Sequence, residues 1–383
     1  MRLKHTYIPV IVICVGVIGV AFFSTYKEHR AENTFAEAVA SKSSFSDQIL
    51  AYQNLMKAVG ASRAQEILVA TFPDNSRTHM MDHQTGKFLY DTEGFTGIGD
   101  CKTYFAGGCY HGFISAAIAD RGLSDFKEIV TNCKNDLSQE QVMQCAHGVG
   151  HGLLADVAGY TKLPDALALC QSLFTGDQKS TVNCYDGIFM ENNFGEFSVP
   201  PSDRWYKASD PMYPCEISAV LDKPGAHTYC WGMQSQLTLH ADAYPQFAGD
   251  VKKVGAYCNT LVGDDTFICF EGLARQLQLS YSTDPARIQS ECAKLGGSET
   301  VMCVAQAAEA AYIYGNHSAE TLGVCTNETG ADKDNCYEAL YEGFAISYSA
   351  TSTRLTACTR DLPEDTYKEK CTAWMNSPAA LDF

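Results

Sequence analysis

The sequence predicts an all-α protein, an α-solenoid of about nine helix hairpins, eight of them disulfide-stapled, after an N-terminal transmembrane helix. Three observations predict this fold class. The cysteines recur in pairs at a period that fits one helix hairpin, the apolar residues follow helical spacing, and strand-like alternation is scarce.

The cysteine spacing defines the repeat. The chain has 17 cysteines, and Cys14 lies in the predicted membrane segment. The others form pairs 8 to 15 residues apart, and the second members of successive pairs follow one another at intervals of 33 to 46 residues. A period in this range is typical of solenoids. We expect one disulfide in each of these pairs: Cys101–Cys109, Cys133–Cys145, Cys170–Cys184, Cys215–Cys230, Cys258–Cys269, Cys292–Cys303, Cys325–Cys336 and Cys358–Cys371.

Residues 284–316 illustrate one repeat. Pro285 suits the first turn of a short helix A that ends near Cys292, and Ser298 suits the N-cap of a longer helix B that ends at Gly315 and Asn316. One cysteine therefore lies late in helix A and its partner lies early in helix B. A disulfide between them would staple the hairpin.

The scheme resembles the TPR and Sel1-like class of α-solenoids, and most of all the cysteine-rich Sel1-like proteins of bacteria, whose hairpins also carry disulfides. The resemblance covers roughly residues 90–380 and rests on the period and the hairpin bridges. The cysteine spacing here is longer and more variable, and the Sel1 alanine and glycine signature is not matched. The resemblance implies a fold class and no particular function.

The N-terminus predicts a membrane anchor. Residues 7–23 are almost wholly apolar, follow Arg2 and Lys4, and fit a short membrane span or a signal sequence. The residues that follow lack a small-x-small cleavage site, which favours an uncleaved anchor. We assign the chain to an anchor (1–26), a linker (27–45), a cysteine-free N-terminal helical repeat (46–95) and disulfide-stapled repeats (96–383).

The net charge and the cysteine content limit where the protein can be located and which partners it can bind. The chain carries 45 acidic and 28 basic residues, a formal net charge of −17 that repels phosphate backbones and argues against nucleic acid. The even set of cysteines beyond Cys14 indicates an oxidising, extracytoplasmic location, periplasmic or at the cell surface. The expected partners are the membrane, through residues 7–23, and a peptide or protein in the concave groove.

The repeat register brings histidines into columns. His111 and His147 stand two residues after the second cysteine of their repeats, and His151 stands six after. The segment "NSRTHMMDHQTGKFLYD" extends the register with His79 and His83. Since positions four apart share a helix face, these five histidines occupy two columns on three successive B helices. The fourth B helix supplies Asp186 and Glu191.

Imidazoles with one or two carboxylates are ligands of zinc, non-haem iron, manganese and copper. We therefore predict a transition-metal site in the N-terminal repeats. Its candidate ligands are His79, His83, His111, His147, His151, Asp186 and Glu191. The alternative is that the histidines line a solvated groove or make hydrogen bonds within the helix array. The outer ring nitrogens should be held by groups such as Asp82 and Asp186, and His227 and His240, which fall outside the register, are interpreted as structural or surface residues.

Glycines recur three residues after the second cysteine, at Gly112, Gly148, Gly187 and Gly272. A glycine inside a helix costs about 1 kcal/mol relative to alanine, so its recurrence predicts close approach of a neighbouring helix. The additional Gly150 and Gly152 are interpreted as clearing space around His151.

The step from Cys184 to Cys230 contains an insertion near residues 195–211, rich in proline and aromatic residues. It follows the helix that carries Asp186 and Glu191. It is interpreted equally as a lid or as a plain surface insertion, with Arg204, Trp205 and Tyr206 as its candidate contacts.

Two functions are open. The first is an exported, membrane-anchored metalloprotein, with hydrolytic or oxidative catalysis as an option and Glu191 or Asp186 as candidate base. The second is an extracytoplasmic scaffold without catalysis, in which the polar side chains along the B helices bind a protein, peptide or glycan.

Overall fold

The described part of the protein is helical. The computed structural model describes residues 26–39, 41, 44–72, 76–102, 104–122, 126–136, 139–195, 203–282, 284–313, 321–347 and 351–381. Within these ranges there is no strand, only an isolated bridge between Lys207 and Asp210. The predicted all-α class is confirmed.

Eighteen α-helices, α1 to α18 in chain order, account for most of the described residues. Their bounds are 26–39 (α1), Phe45–Val59 (α2), Ala61–Thr71 (α3), Ser76–Glu93 (α4), Tyr104–Arg121 (α5), Phe126–Asp136 (α6), Gln139–Gly152 (α7), Leu163–Leu173 (α8), Gln178–Phe194 (α9), Ser218–Leu221 (α10), Ala226–Gln236 (α11), Val251–Cys258 (α12), Asp264–Ser280 (α13), Pro285–Cys292 (α14), Gly297–Ile313 (α15), Gly330–Ser347 (α16), Thr351–Asp361 (α17) and Asp365–Met375 (α18).

The predicted membrane segment, residues 7–23, lies outside the described residues. Among the helices that the structure does describe, none combines the length and the apolar character needed to cross a membrane. Residues 26–39, which we expected within a linker of residues 27–45, form α1 instead. The helix forms because it has an apolar anchor: the buried Phe35 ring lies 5.5 Å from the Tyr52 ring and 5.9 Å from the Phe72 ring.

The chain divides into two compact units, residues 1–72 and 73–383. The division falls inside the segment 46–95, which was predicted to form one repeat. Its two predicted helices therefore belong to different units, because α3 packs on α2 while α4 packs on α5. The turn between α2 and α3 is made by Gly60, whose φ of 84° suits glycine.

In the second unit, one row of helices carries the site. Each helix of the row packs against the next one in the row, as expected for stacked helix hairpins. In chain order the row, here called the B helices, is α4, α5, α7, α9, α11, α13, α15, α16 and α18.

The eight disulfides of the structure join the same cysteines as the spacing predicts, with Cα atoms 5.4 to 6.1 Å apart. Each bond links a B helix to the segment before it. That segment is an A helix in five repeats (α6, α8, α12, α14 and α17). It is a 3₁₀ helix at Gly94–Asp100 and at Thr321–Cys325, and Cys215 lies in a turn before the short α10. Repeats therefore vary in the A element while keeping the B helix.

The repeat of residues 284–316 follows the predicted scheme with one correction. Pro285 opens α14, and Asp284 is its N-cap through a hydrogen bond from the Arg287 N–H. Helix α15 begins at Gly297, so Ser298, predicted as an N-cap, lies inside the helix. The helix ends at Ile313, and the predicted stop at residues 315–316 lies outside the described residues.

Glycines bring two pairs of B helices into backbone contact. A Cβ built on Gly112 of α5 would lie 1.9 Å from the His83 carbonyl oxygen of α4, and one on Gly187 of α9 would lie 1.9 Å from the His147 carbonyl oxygen of α7. No Cβ tolerates such a distance to backbone. The predicted role of these glycines in close helix approach is confirmed.

The interpretation of Gly150 and Gly152 is wrong. A Cβ on Gly150 would lie 2.1 Å from the Cys184 carbonyl oxygen, and one on Gly152 would lie 2.2 Å from Cδ1 of Ile118. Both glycines therefore admit neighbouring helices, and neither opens space for His151.

We predict that Gly112→Ala destabilises the protein by about 3 kcal/mol or more, because the added methyl group forces α4 and α5 apart. The matched control is Gly232→Ala in α11, where a Cβ meets no atom within 4 Å. The control should be neutral or stabilising by up to about 1 kcal/mol. Chemical denaturation measures both, and equal stabilities of the two variants would contradict the packing described.

His227 of α11 links this helix to α13 and to the turn that carries Cys215. Its Nε2 lies 2.7 Å from Asp265 Oδ1 and its Nδ1 lies 3.1 Å from the Cys215 carbonyl oxygen. Burial lowers the His227 pKa, but the hydrogen bonds to Asp265 and to the Cys215 carbonyl raise it by more. The net pKa therefore lies above the ordinary value for histidine. Both ring nitrogens can donate only in the protonated form.

We predict that His227→Gln destabilises the protein more at about pH 5.5 than at about pH 8.5. Because the His227 pKa is raised in the folded state, the protonated ring stabilises the fold fully below the unfolded-state pKa. This stabilisation is lost as the pH rises through the folded-state pKa. Asp265→Asn should flatten this pH dependence and lower the His227 pKa measured by NMR titration. A His227→Gln penalty that grows with pH would contradict the assignment.

Candidate metal centre

Helices α4, α5 and α7 bring the five predicted histidines together. The i, i+4 spacing places His79 and His83 on one face of α4 and His147 and His151 on one face of α7. Helix α5 lies against both α4 and α7 and supplies His111. His111 is 1% exposed, so the cluster has a buried centre.

The first histidine triad consists of His79, His83 and His111. The Nε2 atoms of His79 and His83 lie 3.0 Å apart, and His111 Nδ1 lies 3.1 Å from the same His79 Nε2. Histidine nitrogens bound to one tetrahedral zinc lie about 3.3 Å apart, given Zn–N bonds of about 2.0–2.1 Å. The triad is therefore close to a ligand arrangement without any rearrangement of the backbone.

A backbone carbonyl sets the tautomer of His79. Its Nδ1 lies 2.7 Å from the Phe105 carbonyl oxygen, so Nδ1–H donates to this oxygen and Nε2 carries a lone pair. His83 Nε2 and His111 Nδ1 both face that single lone pair. Two N–H donors cannot share it well, whereas a cation can accept lone pairs from all three nitrogens.

The second histidine triad consists of His111, His147 and His151. The Nε2 atoms of His147 and His151 lie 3.1 Å apart, and each of the three residues offers a ligand atom within 4.8 Å of the others. The ring centroids of His111 and His151 lie 4.1 Å apart. His111 thus belongs to both triads.

The two carboxylates hold the outer nitrogens of the second triad. His151 Nδ1 lies 2.7 Å from Glu191 Oε2, and His147 Nδ1 lies 3.1 Å from Asp186 Oδ2. Such contacts fix the ring orientation and make the inner Nε2 a better ligand. Asp82, predicted together with Asp186 to hold outer ring nitrogens, accepts a hydrogen bond from the Cys109 N–H at 2.9 Å.

Burial favours the neutral form of four histidines of the cluster, His79, His83, His111 and His151. It lowers the pKa of His79 to about 4, although the Phe105 carbonyl and Glu191 oppose the shift. Burial and the neighbouring imidazoles place the pKa values of His83 and His111 well below the ordinary value, and burial also lowers the pKa of His151. Neutral imidazole is the form that binds a metal.

Sequence reasoning missed Tyr160, whose hydroxyl donates to Glu191 Oε1. Both Glu191 oxygens are thus engaged, one by Tyr160 and the other by His151. Tyr160 follows a π-helical turn, Leu153–Ala158, that begins two residues after His151. No feature of the sequence marks this loop tyrosine as part of the site.

The described part of the insertion docks on the end of α9. Arg204 donates to the carbonyl oxygens of Asn193 at 2.9 Å and Gly195 at 2.7 Å, and Trp205 exchanges backbone hydrogen bonds with the Asn192 side chain. These contacts cap the helix terminus just beyond Glu191. Of the three candidate contacts in the insertion, Arg204 and Trp205 therefore hold the C-terminal end of α9, the helix that carries Glu191.

The chain matches no protein-family model, no curated protein and no solved structure. The likeness to Sel1-like proteins therefore stays at the level of paired helices.

We predict that Glu191→Gln weakens zinc binding about 10- to 100-fold while leaving the helical content unchanged, because the glutamine loses the charge that orients and polarises His151. Competition with a chromogenic chelator measures the affinity. The control is Glu369→Gln in α18, an exposed position that should bind zinc as the wild type does. Equal affinities of the two variants would remove Glu191 from the site.

Proposed function

We propose that this protein binds transition-metal ions between its N-terminal repeats, on α4, α5 and α7. The observation that carries the proposal is the convergence of three ring nitrogens, His79 Nε2, His83 Nε2 and His111 Nδ1, at separations of 3.0 and 3.1 Å. The five histidines are the proposed ligands. Asp186 and Glu191 are proposed as the groups that orient them.

The donor set favours zinc or copper among the four metals that the sequence left open. Imidazole suits both ions, whereas manganese prefers oxygen donors and non-haem iron sites commonly include a carboxylate ligand. Here the two carboxylates face outer ring nitrogens at 2.7 and 3.1 Å, which leaves an all-imidazole set toward the centre.

An oxidising compartment fits the eight disulfides. We propose that residues 7–23 anchor the protein in a membrane, with residues 26–383 on the extracytoplasmic side. An ion there is supplied from outside the cytoplasm, and no thiol ligand is required to hold it.

A hydrolytic enzyme is less well supported than metal binding. Catalysis by metal-bound water needs a free general base beside the ion. Glu191 accepts from His151 and Tyr160, and Asp186 lies against His147, so both candidate bases serve the ligand rings. Oxidative chemistry at copper needs no such base and is compatible with the site.

The alternative scaffold function requires polar groups along the B helices that are open to a partner. In α13 these positions are occupied by an ion pair, with Arg275 2.9 Å from Glu271 on the same helix. We therefore place metal binding before peptide or glycan binding in the groove.

The test is elemental analysis of the exported protein, purified without added metal and after incubation with zinc or copper salts. We predict bound zinc or copper, a lower content in His79→Ala and His147→Ala, and an unchanged content in the control His240→Ala, which alters an exposed histidine. Circular dichroism confirms that the variants fold. A folded wild-type protein that takes up neither ion would contradict the proposed function and favour the scaffold.

A further inference from the structure

We propose that His111 bridges two metal ions as an imidazolate, so that the cluster is one dinuclear centre. This inference rests on the proposed function and adds the number of ions and the way they are joined. One ion would lie in the first triad and one in the second. His111 is the residue that the two triads share.

The two nitrogens of His111 stand in different environments. Nδ1 lies 3.1 Å from His79 Nε2, in the first triad. Nε2 is fully buried and makes no hydrogen bond in the structure. A buried polar atom without a partner costs about 1–3 kcal/mol, so this nitrogen needs a partner that the polypeptide does not provide. A second ion beside His147 and His151 would be that partner.

The two halves of the cluster repeat each other. Helix α4 presents two histidines four apart with Nε2 atoms 3.0 Å apart, and α7 presents two with Nε2 atoms 3.1 Å apart. Helix α5 packs against both and contributes a single imidazole between them. The repeat architecture therefore places one pair of histidines on α4 and another on α7. The His111 ring between them adds the third ligand to each pair.

Charge also favours a bridge. Two divalent ions bring four positive charges into a site whose central histidine, His111, is 1% exposed. The carboxylates of Asp186 and Glu191 offset two of these charges. Loss of the second ring proton from His111 supplies a third negative charge between the ions.

The protons balance as follows. A neutral His111 ring carries one N–H and one lone pair. The first ion takes the lone pair, and the second ion takes the nitrogen whose proton is released to water. No electron is transferred, and no other reactant is required.

The test is a titration of the metal-free, disulfide-intact protein with copper(II) sulfate, followed by electron paramagnetic resonance (EPR). We expect two coppers per chain. An imidazolate bridge couples their spins antiferromagnetically, so the low-temperature EPR signal should account for less than half of the bound copper. His83→Ala removes a ligand from the first triad alone and should give one copper with a full, uncoupled signal.

The outcomes separate the two proposals. Two coppers with a full, uncoupled signal, or one copper in the wild type, would overturn the bridge and leave metal binding intact. No bound copper or zinc would overturn both. His111→Ala should abolish coupling, and the matched substitution His240→Ala should preserve it. If His111→Ala does not fold, the wild-type signal and His83→Ala still decide the question.

Discussion

At Gly112 the backbone of α5 lies so close to α4 that one methyl group would overlap the His83 carbonyl oxygen, at 1.9 Å. The same contact recurs between Gly187 of α9 and the His147 carbonyl of α7. These contacts fix how each B helix is shifted along its axis and rotated about it relative to its neighbour. Because histidine side chains are short, their ring nitrogens meet only if the helices carrying them lie this close. The glycines stand at or beside the histidine positions, so packing and site are set by the same few residues.

The disulfides offset the loss of folding free energy that comes from helical glycines and buried polar groups. A bridge that closes a loop of 8 to 15 residues contributes about 3 kcal/mol in the chain-entropy model. Each bridge ties a B helix to the segment before it, and this holds even where that segment is a 3₁₀ helix, as at Gly94–Asp100 and Thr321–Cys325. The A element can therefore vary between repeats, whereas the B helices keep the register on which the histidine columns depend.

Much of this architecture is predictable from the sequence, because covalent and periodic signals are local. The alternating cysteine spacing predicts the disulfide pairs, and the shared register predicts that His79, His83, His111, His147 and His151 meet. Three features depend on tertiary contacts that leave no periodic trace. Residues 26–39 form a helix because Phe35 packs against Tyr52 and Phe72. Asp82 accepts a hydrogen bond from the Cys109 backbone N–H, and the Tyr160 hydroxyl donates to Glu191 from a short 3₁₀ helix.

The proposed metal site has imidazole nitrogens alone as the inner ligands of the ion. X-ray absorption spectroscopy of the zinc- or copper-loaded protein measures these ligands. We expect nitrogen scatterers at about 2.0–2.1 Å for zinc, with the multiple-scattering pattern of several imidazole rings and no sulfur. A spectrum dominated by oxygen scatterers without imidazole features would place the ion on surface carboxylates and contradict the proposed ligand set.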